Sequence, residues 1–164
     1  MDARTKESVI NVHEIYIKAP IAAVWDAITS PEWNGRYGYQ GVSEYELKPG
    51  GKFRCLANAQ MRSYGLPEVV VDGEVIEVKP PTKLVQTYRF LFNDEHRKEG
   101  YSRITFDLAD TGQGFCRLTV THDTTGMPLM NGATTSRFTT DGGGGWNWIL
   151  SDLKSLLETG KTMA

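Results

Sequence analysis

His13, His96, His122, Cys55 and Cys116 are the residues of this 164-residue sequence best suited to acid–base, metal or thiol chemistry near neutral pH. The histidines are scattered, with none four residues from another on a helical pattern, so the spacing predicts no metal site. Cys55 and Cys116 lie in strand-like runs without CxxC spacing, which predicts free, buried thiols. His122 stands apart. It ends the run "FCRLTVTHD" on the same parity as Leu118 and Val120, so an apolar inner face would carry the imidazole inward. There it is either a hydrogen-bonded part of the core or a general base. On "KLVQTYRFLF", Gln86 and Tyr88 share a face with Leu84, Phe90 and Phe92, and either could polarise a carbonyl. A buried amide without a partner costs about 1 to 3 kcal/mol, so Gln86 is expected to meet a side chain, a water or a ligand.

A second feature is the glycine run Gly142 to Gly145 in "SRFTTDGGGGWNWILSDLKSLLETGKT". It is not a phosphate loop. No GK[ST] follows it, and "SLLETGKT" has Ser155 at the first required glycine, inside a helical pattern. If the helix runs through the glycines, Gly142 and Gly143 continue the face of Trp146, Gly144 points away, and the run opens ligand space beneath the helix. The alternatives are a helix that starts only at Trp146 and close backbone packing on a sheet. Four glycines inside a helix would cost about 4 kcal/mol relative to alanine.

These residues need a frame to bring them together. "VINVHEIYIK" alternates as a strand, and Pro20 then opens a short amphipathic helix carrying Ile21, Val24, Trp25 and Ile28. Ser30 and Pro31 start a second short helix, which Gly35 ends. From Val42 to Asp123 the period becomes two, with turn signals at "PGG", "VKPPTK", "NDEHRKEG" and "DTGQG". "VSEYELK", "KFRCLANAQM", "VVVDGEVIEV", "KLVQTYRFLF", "YSRITFDLA" and "FCRLTVTHD" then give, with the first strand, about seven strands. Trp146, Ile149, Leu150, Leu153, Leu156 and Leu157 form one wide apolar stripe on a helix ending at Gly160. An antiparallel sheet with one apolar face needs such a cover, so the reading is an α+β fold in one domain, 1–164, with its core over about 9–158.

Composition narrows the function classes. Charged residues make up 23% and the formal net charge is -2, which predicts no nucleic-acid partner. No apolar run reaches the length of a membrane span and "MDARTKESVI" has no apolar signal core, so a cytoplasmic protein without membrane insertion is expected, as monomer or homodimer.

The segments "IKAPIAAVWDAITSPE", "LKPGGKFR", "DGEVIEVKPPTKLVQTYRF", "SRITFDLADTGQGFCRLTVTH" and "GGWNWILSDLKSLLE" resemble the START-like (SRPBCC) helix-grip superfamily, in its Aha1 C-terminal homology branch (activator of Hsp90 ATPase homologue 1-like). The resemblance covers Val9 to Glu158 and implies a curved sheet gripping a long C-terminal helix around a cavity. In this branch bulkier residues usually stand where Gly142 to Gly144 stand here. Inward strand parity and the two helices that face the sheet make Trp33, Tyr37, Phe53, Gln86, Tyr88, Phe106, His122, Phe138, Gly143 and Trp146 the candidate ligand wall. The implied function is binding of an apolar or aromatic small molecule without a cofactor. The alternatives are a cyclase, dehydratase or hydrolase with His122 as base, acting on a polyketide-like or aromatic substrate, and a stress- or Hsp90-related interaction domain.

Overall fold

The computed structural model describes residues 7–164; the expectation about a signal core falls partly on residues 1–6, outside the described residues. The elements follow in the order β1 (Ile10–Ile17), α1 (Ile21–Thr29), α2 (Pro31–Asn34), β2 (Val42–Tyr45), β3 (Lys52–Leu56), α3 (Ala59–Ser63), β4 (Val69–Lys79), β5 (Lys83–Phe90), α4 (Asp94–Glu99), β6 (Ser102–Asp110), β7 (Cys116–Asp123), α5 (Pro128–Thr134) and α6 (Gly145–Thr159). The seven strands form one antiparallel sheet in the order β1-β7-β6-β5-β4-β3-β2. The α+β fold, with its curved sheet around the last helix and two short helices after the first strand, is the helix-grip arrangement.

The curvature has a local cause. Pairing of β4 with β5 shifts register between Val75 and Glu77, and such a bulge bends and twists the strand. Next to it a Cβ on Gly73 would run into the Thr87 carbonyl, so only glycine permits this approach of β4 to β5. The curled sheet leaves a concave face. Onto it α6 lays Trp146, Leu150, Leu153 and Leu156, all buried, against Ile17, Val24, Leu84, Ile104 and Leu118. Each fully buried leucine there contributes about 1.5 to 3 kcal/mol. A second apolar cluster, built on Phe53, Val70, Val71 and Phe90, packs under Met127 and Met130 at the start of α5.

Two helices replace predicted strand or turn, and a third, α5, forms where no element was predicted. "KFRCLANAQM" leaves the sheet after Leu56, and Asn58 caps α3 by accepting from the Met61 N–H. In "NDEHRKEG" Asn93 does the same for α4 through the His96 N–H. α5 buries only Met130 and Thr134, a four-residue spacing too brief for a periodic signal. Pro20 is the N-cap of α1 rather than its first residue, and the Ser30 side chain makes no capping bond. Among the described residues no helix is long and apolar enough to cross a membrane.

Candidate functional site

The two apolar clusters do not meet completely. Between them, under α6 and on the concave face, lies a cavity of about 500 Å³. Phe53 from β3, Gln86, Tyr88 and Phe90 from β5, and Phe106 from β6 build its floor. Trp146, Ile149, Leu150 and Leu153 supply the helix side, with Tyr37 to Gly41 and the segment approaching α6 forming the rim. No Asp, Glu, Lys, Arg or His side chain lines it among the described residues.

Most polar groups of the wall are engaged by the protein. The Tyr45 hydroxyl donates to Gln86 Oε1 at 2.6 Å, giving the buried amide the partner the sequence demanded. Gln86 Nε2 has only a long contact, 3.4 Å, to the Thr87 carbonyl. The Tyr37 hydroxyl donates to the Ala27 carbonyl at 2.9 Å. The Tyr88 hydroxyl, by contrast, finds no hydrogen-bond partner among the described residues, although its ring packs against Phe53 and Phe90. Burial pushes the phenols of Tyr37, Tyr45 and Tyr88 and the Cys55 thiol up, so all four stay neutral at physiological pH.

His122 lies behind this wall, fully buried, and does not reach the cavity. Ser102 Oγ gives its single proton to the Tyr88 carbonyl at 2.8 Å, so toward His122 Nε2, also at 2.8 Å, it accepts. That places the ring proton on Nε2 and leaves Nδ1 to accept from Trp146 Nε1–H at 3.0 Å. Burial, reinforced by nearby His13, lowers its pKa to about 4. With both nitrogens occupied, His122 has no lone pair to offer a substrate. It is a strut tying α6 to the sheet, which is the hydrogen-bonded core role the sequence left open beside that of a general base.

Of the ten candidate residues, Tyr37, Phe53, Gln86, Tyr88, Phe106, Gly143 and Trp146 line the cavity, and Trp33, Phe138 and His122 do not. Trp33 is at the surface, where its ring carries the Arg36 guanidinium at 4.3 Å. Phe138 is 58% exposed and stacks on the outer side of Trp148 at 5.7 Å. Phe138 would join the wall only if the helix ran back through the glycines, and α6 starts at Gly145; Trp33 lies on the short helix α2 with its side chain at the surface.

The glycine run is a loop, not a helix. Gly142, Gly143, Gly144 and Gly145 all have positive φ, at 97°, 94°, 103° and 55°, and α6 begins at Gly145. The space beneath α6 therefore does not come from missing side chains on its face. Gly144, expected to point away, backs onto Trp148, and a Cβ on Gly145 would meet the Thr134 carbonyl. Gly143 reaches the cavity rim, held by Tyr39, whose hydroxyl donates to the Gly143 carbonyl at 2.9 Å and accepts from the Gly145 N–H at 3.1 Å. Tyr39 also stacks on Trp148 at 5.6 Å.

Sequence reasoning missed Tyr39, Tyr45 and Asp152. The Asp152 carboxylate is buried on α6 and accepts from the Gly38 N–H at 2.9 Å and the Met163 N–H at 2.7 Å, fixing the rim turn and the following tail. Its signal was a charge between Ile149 and Leu153, on the border of the apolar stripe. Both cysteines are free, Cys116 buried and Cys55 half-buried at the cavity. Among the described residues no three His, Cys, Asp or Glu side chains are gathered as for a metal ion.

A family model described as "Activator of Hsp90 ATPase homolog 1-like protein" matches residues 18–158. None of the curated proteins matches the chain. Among solved structures, the solution structure of CalU16 from Micromonospora echinospora is similar with a TM-score of 0.62 at 17% identity, covering 99% of this chain and 79% of that one. DynU16, from the dynemicin biosynthetic locus, gives 0.64 at 22% identity, over 93% of this chain and 48% of its own. PFC0360w, an HSP90 activator from Plasmodium falciparum, gives 0.55 at 20% identity, over 94% and 90%.

Proposed function

The chain belongs to the Activator of Hsp90 ATPase homolog 1-like family, and we propose that within it this protein is a small-molecule binding module holding a largely apolar ligand between the curved sheet and α6. The observation that carries the reading is the cavity of about 500 Å³, a ligand-sized space walled by aromatic and aliphatic side chains with few polar groups. Tyr37, Phe53, Phe106, Gly143 and Trp146 form the wall in this reading, with Gln86 and Tyr88 as polar anchors. The likeness in fold to a protein of a biosynthetic locus supports a role on small molecules. Catalysis through His122 loses its support, because both ring nitrogens are engaged away from the cavity.

The test is a thermal-shift and native-mass screen with apolar aromatic compounds. Ligand at 100 times its Kd should stabilise the protein by about 2.7 kcal/mol, a rise of roughly 5 to 10 °C in Tm for a chain of this size. Ile149→Trp, which places an indole in the cavity, should abolish the shift while leaving the circular dichroism spectrum unchanged. Absence of any saturable shift or bound mass overturns the proposal.

A further inference from the structure

The cavity wall has no group that could neutralise a charge. Every side chain lining it is uncharged, and burial holds its phenols and the Cys55 thiol in their neutral forms. The nearby buried ionisable groups are engaged elsewhere: Asp152 accepts two backbone N–H groups, and His122 is a neutral strut. An ion entering this space would lose its hydration without gaining a counter-charge, which is prohibitive in an apolar interior.

The unpaired protons on the floor of the cavity give the site a direction as well. Tyr37 and Tyr45 have their protons committed to Ala27 and Gln86. Gln86 Oε1 is taken by Tyr45, and the Asn34 amide by Ser43 and Ile28. What remains on the floor is the O–H of Tyr88 and the poorly placed N–H groups of Gln86, two residues apart on the same face of β5. Both hold protons without a well-placed acceptor, and an orphaned donor is less tolerated than a spare lone pair, so an acceptor is the better complement. Around them stand the rings of Phe53, Phe90, Phe106 and Trp146, surfaces suited to a flat aromatic body.

We infer that the ligand is an uncharged aromatic compound carrying a carbonyl acceptor, seated with that oxygen on the Tyr88 hydroxyl, and that the site rejects the same body bearing an anionic group. This rests on the binding reading above. The naphthyl ketone prodan reports occupancy by fluorescence, and 2-acetonaphthone, 2-naphthoate and 2-ethylnaphthalene compete with it as a ketone, a carboxylate and an acceptor-free analogue of one shape.

Prodan is expected to bind, and 2-acetonaphthone to displace it. 2-Naphthoate should be at least about 100-fold weaker, the effect of burying an unpaired carboxylate. Tyr88→Phe should weaken the ketone about tenfold and leave 2-ethylnaphthalene unchanged, as loss of one good hydrogen bond to ligand requires. Each failure has its own meaning. If neither prodan nor the ketone binds, the binding reading falls and this inference with it. If naphthoate competes as well as the ketone, charge exclusion is overturned while the binding module stands. If a Tyr88→Phe protein with unchanged Tm weakens ketone and hydrocarbon alike, the residue packs rather than donates, and the assigned anchor is wrong.

Discussion

His122 can keep both of its hydrogen bonds only as a neutral imidazole. Protonation would turn Nδ1 into a donor facing the Trp146 N–H, inside a site without solvent. Its folded pKa of about 4 lies below the ordinary 6.5, so on acidification the unfolded chain takes up the proton first. The contribution is therefore fully present above about pH 6.5 and lost as pH falls through about 4, amounting to about 3 kcal/mol. Urea midpoints measured from pH 7.5 to 4 should decline through this window in the parent protein. In His122→Asn, less stable at pH 7 but with no proton to take up there, the decline should be shallower; an equal slope would mean other groups cause it.

At the level of elements, the approach to α6 is a tight left-handed loop that Tyr39 and Ser136 hold by hydrogen bonds. Gly144→Ala combines a φ of 103° with a collision against Trp148 and should lower stability by about 1 to 3 kcal/mol. Gly142→Ala has the same handedness but open space around its Cβ, and its penalty should be about 1 kcal/mol. A helix through the run would instead be stabilised by about 1 kcal/mol for each alanine, so the melting temperatures separate the two cases by sign. The contrast marks what was legible in the sequence. Period-two runs and the stripe on α6 announced the strands and the gripping helix because one face of each is buried along its whole length. The same parity brought Phe53, Gln86, Tyr88 and Phe106 to one wall. Four glycines carry no such pattern, since the residue type permits both a helical and a left-handed path. Tyr39 and Tyr45 were hidden for a related reason: their roles depend on how far the sheet curls, which a bulge at Val75 and the close approach at Gly73 decide.

For the whole molecule, the split core makes ligand and fold report on each other. Cys55 opens on the cavity and Cys116 is buried at the start of β7. Unfolding without reductant should expose two reactive thiols. In the native protein prodan at 100 times its Kd should slow Cys55 labelling about 100-fold if modification requires the empty cavity, while leaving Cys116 as unreactive as before. Equal rates with and without prodan would place the probe elsewhere on the surface.

The Tyr39 hydroxyl joins the two sides of the rim, with its ring 44% exposed and two hydrogen bonds to the glycine loop. A molecule entering at this point of the rim would have to break those two bonds and the stack of the ring on Trp148, with the core and α6 left in place. Exchange by that route would be a local event governed by one side chain rather than by global stability. Tyr39→Phe should raise the association and dissociation rates of prodan together in stopped-flow traces and leave their ratio near the parent value. Such a protein would hold its cargo for a time tuned at the doorway, independently of how tightly the interior fits it.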